Sequence, residues 1–205
     1  MSKKKRKEFI NFIILIAVML ILLLGLMAYG KFKARKEIDM TKYNNYNFRQ
    51  DRDGFWMTAI QIGDTLYPIT FYSHPREVEN INFEEDVENT ILIRKSSELI
   101  IAIPPKPNPV LAFAGRQISK ITEGILGIST VPMLNGPEDE LDYVTCESDA
   151  SESRIILSFI PSDKNLVYMD NKNPYCIKLE FNNLTSVNES MRVADSFAYH
   201  LLKIM

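Results

Sequence analysis

From Phe9 to Tyr29 the chain runs through 21 positions without a charge, and only Asn11 interrupts the apolar pattern. As a helix rising ~1.5 Å per residue, such a run reaches about 30 Å, the thickness of a bilayer's hydrocarbon core. No face of it is polar, so it does not suit a helix half-buried on a soluble core. Lys3 to Lys7 flank it on one side and Lys31, Lys33, Arg35 and Lys36 on the other. The pattern predicts a single transmembrane helix, Phe9 to Tyr29. The run is longer than a secretory signal's apolar region, and Leu26 to Gly30 lacks small residues at cleavage spacing, so retention as an anchor is expected. Five consecutive cations are costly to translocate. Residues 1–8 are therefore expected to form a basic cytoplasmic tail, with the C-terminal domain outside the cell.

Beyond the anchor the patterning changes to that of a folded domain. Residues 30–53, polar and Asn-rich, read as a juxtamembrane linker, and residues 54–205 as one extracytoplasmic α/β domain. Trp56, Thr58, Ile60 and Ile62 alternate with other residues, and Gly63-Asp64 separates them from Leu66 to Tyr72, which predicts a β-hairpin. Pro68 places the second strand at an edge. Ser73 to Asn80 predicts one helical turn with Pro75 at its first position. Val87 to Arg94 and Leu99 to Ile103 read as strands, the second apolar throughout as in a strand buried on both faces.

Pro104 to Pro109 is a stiff connector, and the apolar positions Val110 to Leu126 then recur at helical spacing. Ile128 to Met133 resumes a strand, so strand, helix and strand form a parallel crossover. Four short strands follow, at Leu141–Cys146, Arg154–Ile160, Leu166–Met169 and Tyr175–Phe181. A helix from about Val187 to Ile204 closes the chain, with Ser186 and Glu189 as a capping-box pair. Met191, Ala194, Phe197, Ala198, Leu201, Leu202 and Met205 form its core stripe. The expected class is mixed α/β: a β-sheet, a hairpin and two main helices behind an N-terminal membrane span.

Charge sharpens this picture. Residues 1–36 hold nine Lys/Arg against one acid, Glu8. Of the chain's 24 basic and 26 acidic residues, 15 and 25 therefore fall in 37–205, a net charge of −10. An acidic domain is repelled by phosphate backbones, so no nucleic-acid partner is expected. The basic collar suits anionic lipid headgroups. Two cysteines, Cys146 and Cys176, in a membrane-tethered chain predict one disulfide formed in an oxidising compartment. Asn183-Leu184-Thr185 and Asn188-Glu189-Ser190 are glycosylation sequons compatible with an exterior face.

Catalytic signals are sparse. There is no phosphate-cradling glycine loop, no metal-ligand motif and no Gly-x-Ser-x-Gly elbow. Catalytic, cofactor-binding and metal residues are accordingly assigned to none, and no cofactor is expected. His74, with Ser73 adjacent and Arg76 near, reads as a cap or turn residue rather than a base. His200 and Asp195 are poorly spaced for a relay on one helix face. The acidic stretches Glu84-Glu85-Asp86 and Glu138 to Asp142 read as solvated turns, because they lack the spacing of a calcium loop.

Cys176-Ile177-x-Leu179 and the run Val193-Ala194-Asp195-x-Phe197-Ala198-Tyr199-x-Leu201-Leu202-x-Ile204-Met205 resemble the ends of small, uncharacterised, single-span proteins of archaea. The resemblance covers about 30 residues and implies a layout and a location, with no activity attached. The expected function is a binding or scaffold module for envelope proteins or for copies of itself, beside the lipid bilayer. The alternative is an extracytoplasmic enzyme or ligand sensor. Its pocket would lie at the carboxyl ends of the parallel strands, near Pro104 to Asn108 and the loop after Met133, with Arg116, His74 or acidic groups converging on it.

Overall fold

The computed structural model describes residues 16–29, 41–93, 98–105, 109–136, 143–183, 186 and 188–205. They fall into two compact units, one ending at Lys42 and one running from Tyr43 to Met205. In the first, residues 16–29 form a helix (α1) whose fourteen residues are all exposed. Its large side chains range from 43% exposed at Ile16 to 69% at Leu26 and Tyr29. The expected span begins at Phe9, and residues 9–15 lie outside the described residues. Among those described, no helix is long and apolar enough to cross a membrane.

Two-residue strands follow, β1 (Lys42–Tyr43) and β2 (Tyr46–Asn47), which pair with each other around Asn44. Asn44 takes a positive φ of 48°, a conformation asparagine tolerates better than most residues. Next come β3 (Arg49–Gln50) and the hairpin of β4 (Trp56–Ile62) and β5 (Thr65–Phe71), making a three-stranded antiparallel sheet. The hairpin turns at Gly63, φ 59°, as its Gly-Asp pair predicted. The segment expected to be a linker is packed where it is described. Phe48 is 2% exposed, and Tyr43 and Tyr46 pack on the core. Asn44 Nδ2 donates to the Ile204 carbonyl at 2.8 Å, tying this arm to the C terminus.

Then follow α2 (Pro75–Val78), β6 (Asn82–Phe83), α3 (Glu85–Ile93), β7 (Glu98–Ile103), α4 (Pro109–Thr122) and β8 (Ser129–Asn135). The chain continues through β9 (Tyr143–Val144), α5 (Cys146–Asp149), β10 (Arg154–Ser162), β11 (Leu166–Met169), β12 (Cys176–Asn182) and α6 (Glu189–Leu201). The seven-stranded sheet has the order β6-β11-β12-β10-β7-β8-β9. It is parallel throughout except where β11 meets β12. The crossover from β7 through α4 to β8 is the parallel unit expected, with Leu99 opposite Thr130 and Ile101 opposite Pro132.

Alternation decides what each face buries. Leu99 and Ile101 of β7, Ile155, Leu157 and Phe159 of β10, and Ile177 and Leu179 of β12 share the main core with α4, α6 and the hairpin. Gly115 lets α4 lie close to the sheet, because a Cβ there would meet Ile101 Cγ2 at 3.4 Å. Ile100, Ala102, Ile156 and Cys176 face the other way and form a smaller cluster with Val144, Cys146 and Ala150. Beta7 is thus buried on both faces, as its unbroken apolar run predicted.

Three expectations give way to the structure. Val87 to Arg94 is not a strand: Glu85–Ile93 is helical, and its buried residues Val87, Thr90 and Ile91 follow i, i+3, i+4 spacing. The strand expected at Leu141–Cys146 is β9 alone among the described residues, and Cys146 opens α5. The capping box is also absent, since α6 has Asn188 as its N-cap. Ser186 Oγ accepts from the Asn188 amide instead, while Glu189 pairs with Arg192 at 3.0 Å.

Candidate functional site

The polar groups that would suit a buried reaction centre are used to hold the hairpin against α6. Asp195 lies in the core stripe and is fully buried, and its Oδ2 accepts from the Ser73 amide at 2.7 Å. One turn on, the Tyr199 hydroxyl donates to the Ser73 carbonyl at 2.6 Å. Both backbone groups of Ser73 are thereby satisfied by α6, where the chain leaves β5 and enters α2. Burial pushes the Asp195 carboxyl up to about 8, against the pull of the Ser73 hydrogen bond, so it is held neutral at pH 7. Burial likewise drives the Tyr199 hydroxyl upward.

His74 adjoins this clamp and caps α2. Its Nδ1 accepts from the Arg76 amide at 3.3 Å, and its own amide donates to Glu77 Oε2 at 2.7 Å. Nδ1 being an acceptor, the neutral ring carries its proton on Nε2. That atom is buried without a hydrogen-bond partner among the described residues. The ring stands edge-on to Trp56 and Phe48, with centroids 4.7 and 5.1 Å away. Burial lowers its pKa. His74 therefore takes the capping role read from the sequence, and neither nitrogen meets Ser73 or Asp195. His200 stacks on Phe83 at 3.8 Å, and burial lowers its pKa too. It does not pair with Asp195.

On the second face of the sheet a charged row runs beside the disulfide. Cys146 and Cys176 are bonded, Cα atoms 5.1 Å apart, and fasten α5 to the start of β12. Lys178 reaches both Asp170 and Glu147. Its hydrogen bond draws the Asp170 carboxyl below the usual range. The Tyr168 hydroxyl donates to Glu180 at 2.7 Å and is pushed up to about 12, first by burial and then by that carboxylate. Burial pulls the Lys178 pKa down, but its hydrogen bonds to Asp170 and Glu147 outweigh that and leave it raised.

The carboxyl ends of β7 and β8 carry a shallow trough of about 400 Å³ lined by Ile103, Val131, Pro132, Met133 and Leu134. Asn135 Nδ2 donates to the buried Ser158 hydroxyl nearby, at 3.1 Å. The expected convergence of Arg116 and His74 does not occur there: neither lines the trough among the described residues. The acidic stretch 138–142 and residues 106–108 lie outside them. Glu84 is not merely solvated, because its Oε2 accepts from the Met169 amide at 2.7 Å. Asn183 sits exposed in the turn after β12, whereas the Asn188 sequon ends in Ser190, buried in α6.

A second groove runs between the free edge of β5 and α4. Pro68 has no amide to offer, and Thr70, with the same orientation, gives its carbonyl to Gln117 Nε2. These two positions interrupt the edge for strand addition. Gln117, Thr70 and Lys120 divide the groove into two hollows. One, of about 190 Å³, is lined by Tyr67, Ile69, Ile121 and Ile125; the other, of about 80 Å³, by Phe55, Tyr72, Phe113 and Met191. Sequence reasoning missed both the Ser73 clamp and this groove. The one available signal was Asp195, a charged type set within an apolar stripe. No family model matches the chain, no curated protein matches it in sequence, and no solved structure matches its fold.

Proposed function

We propose that the chain is a single-pass membrane protein whose acidic α/β domain, residues 43–205, works outside the cell as a binding or scaffold module. The observation that carries this reading is α1, which presents apolar side chains on every side and is exposed at every residue. Each Leu, Ile or Met left in water forgoes roughly 1.5–3 kcal/mol of burial. A bare helix of this kind needs lipid, and residues 9–29 together are long enough to cross it. The disulfide supports a location in an oxidising compartment. The basic tail at Lys3–Lys7 supports a cytoplasmic N terminus.

Envelope proteins or further copies of the chain are the partners this reading implies. The test is extraction of cell membranes with alkaline carbonate. The full chain should stay in the pellet and a chain lacking residues 9–29 should leave it. Release of the full chain would refute the anchor. The trough at the ends of β7 and β8, with Ser158 and Asn135 beside it, favours a ligand sensor as the second reading. Loss of small-ligand binding on filling the trough with Val131→Trp, with partner capture unchanged, would support that second reading.

A further inference from the structure

We propose that the groove between β5 and α4 receives an extended peptide segment in which a carboxylate lies between two apolar side chains. This rests on the binding-module reading and names the partner's chemistry. Three features of the groove combine. Its two hollows are the size of side chains rather than of a cofactor: about 190 and 80 Å³, where a dry cavity of about 150 Å³ admits a benzene ring. The smaller is walled mainly by apolar and aromatic side chains, with Phe113 46% and Tyr72 37% exposed, and the larger mixes Ile69, Ile121 and Ile125 with the polar Thr70, Gln117 and Lys120. Between the hollows stands Lys120, which lines both.

Charge selects the occupant. Residues 37–205 carry a net charge of −10, yet the exposed flank of α4 presents Arg116 and Lys120, one turn apart. Neither has a carboxylate partner among the described residues. Unpaired cations beside exposed aromatic surface favour an acidic ligand with apolar groups and repel a basic one. Because Pro68 and the Gln117–Thr70 bond interrupt the strand edge, continuous backbone pairing along it is disfavoured. Recognition then rests on side chains, with Lys120 holding the carboxylate and the two hollows its neighbours.

The full-length protein in phosphatidylcholine nanodiscs is panned against a phage-displayed library of random heptapeptides, in parallel with Lys120→Glu. The most enriched heptapeptide is then synthesised with a fluorescein label and titrated by anisotropy. Enriched sequences should carry Asp or Glu flanked by aliphatic or aromatic residues. Binding should fall at least tenfold in Lys120→Glu and when the peptide carboxylate becomes an amide, and stay unchanged in Lys172→Glu, whose side chain is exposed in a distant turn. Lys120 is exposed, so the variant should keep the parent's melting temperature. Enrichment of the same sequences on both proteins, or of sequences without an acid, would overturn the proposal. A Lys120-dependent change in the sedimentation of the peptide-free protein would overturn it too, by putting a second copy in the groove. Carbonate extraction is indifferent to this outcome, so failure here and failure of the anchor are separable.

Discussion

Replacing Asp195 by asparagine should make the protein gain stability relative to the parent as pH rises, a reversal of the usual cost of altering a buried residue. In the fold the carboxyl keeps its proton to about pH 8, whereas in the unfolded chain it ionises near its ordinary value of 3.8. Between those values the folded state binds more protons than the unfolded one, so stability falls as pH rises. One proton corresponds to about 1.4 kcal/mol per pH unit. His74 and His200 act in the opposite sense. Their folded pKa values lie below 6.5, so they cost stability as pH falls below that value. Both histidines are present in parent and variant alike, so the difference between the two proteins isolates Asp195, and from pH 6.5 to 8 the parent should lose roughly 1.5 kcal/mol relative to Asp195→Asn. For a domain of this size that relative loss corresponds to a Tm lower by roughly 3–6 °C.

Asparagine keeps an acceptor for the Ser73 amide and cannot ionise, so its curve should show only the slight rise the two histidines give over the same window. Any fixed cost of the amide cancels when the two proteins are compared at both pH values. The assay is urea unfolding of the full chain in detergent at pH 6.5, 7.25 and 8, followed by Trp56 fluorescence. Parallel parent and variant curves would refute the placement of a neutral carboxyl at this position.

Two further outcomes follow from the same packing. Tyr199→Phe removes the only side-chain donor recorded for the Ser73 carbonyl among the described residues. It should cost about 1–3 kcal/mol in urea unfolding, since a buried acceptor is left unpaired. Cys146 and Cys176 are both buried, so reductant should act only on unfolding. Once reduced, or in Cys146→Ala/Cys176→Ala, the domain should lose roughly 3–4 kcal/mol by the chain-entropy argument for a loop of this length. Thermal melts with and without a phosphine reductant measure it.

What could be read from the sequence divides along the range of the interactions. Elements whose burial is periodic over neighbouring residues were legible. The hairpin was marked by Gly63-Asp64, the strand at Leu99–Ile103 by its unbroken apolar run, and α6 by its stripe. The helix α3 was misread because Val87, Ile91 and Ile93 are β-branched, and β-branching favours strands until tertiary packing decides otherwise. Its acidic start, Glu84-Glu85-Asp86, was the overlooked helix signal. The Ser73 clamp joins residues 122 positions apart and depends on which face of α6 meets the hairpin. The groove depends on α4 lying beside the β5 edge of a three-stranded sheet. Neither follows from spacing along the chain. The cysteine pair did, because two cysteines allow one intramolecular bridge.

Protease digestion of intact cells bearing an N-terminal and a C-terminal epitope tests the central claim most directly. If α1 belongs to a lipid-spanning anchor and the disulfide-bonded domain works beyond it, externally added protease should remove the C-terminal epitope. The N-terminal epitope should then survive until the membrane is permeabilised. Protection of both epitopes in intact cells, with joint loss on permeabilisation, would contradict the account.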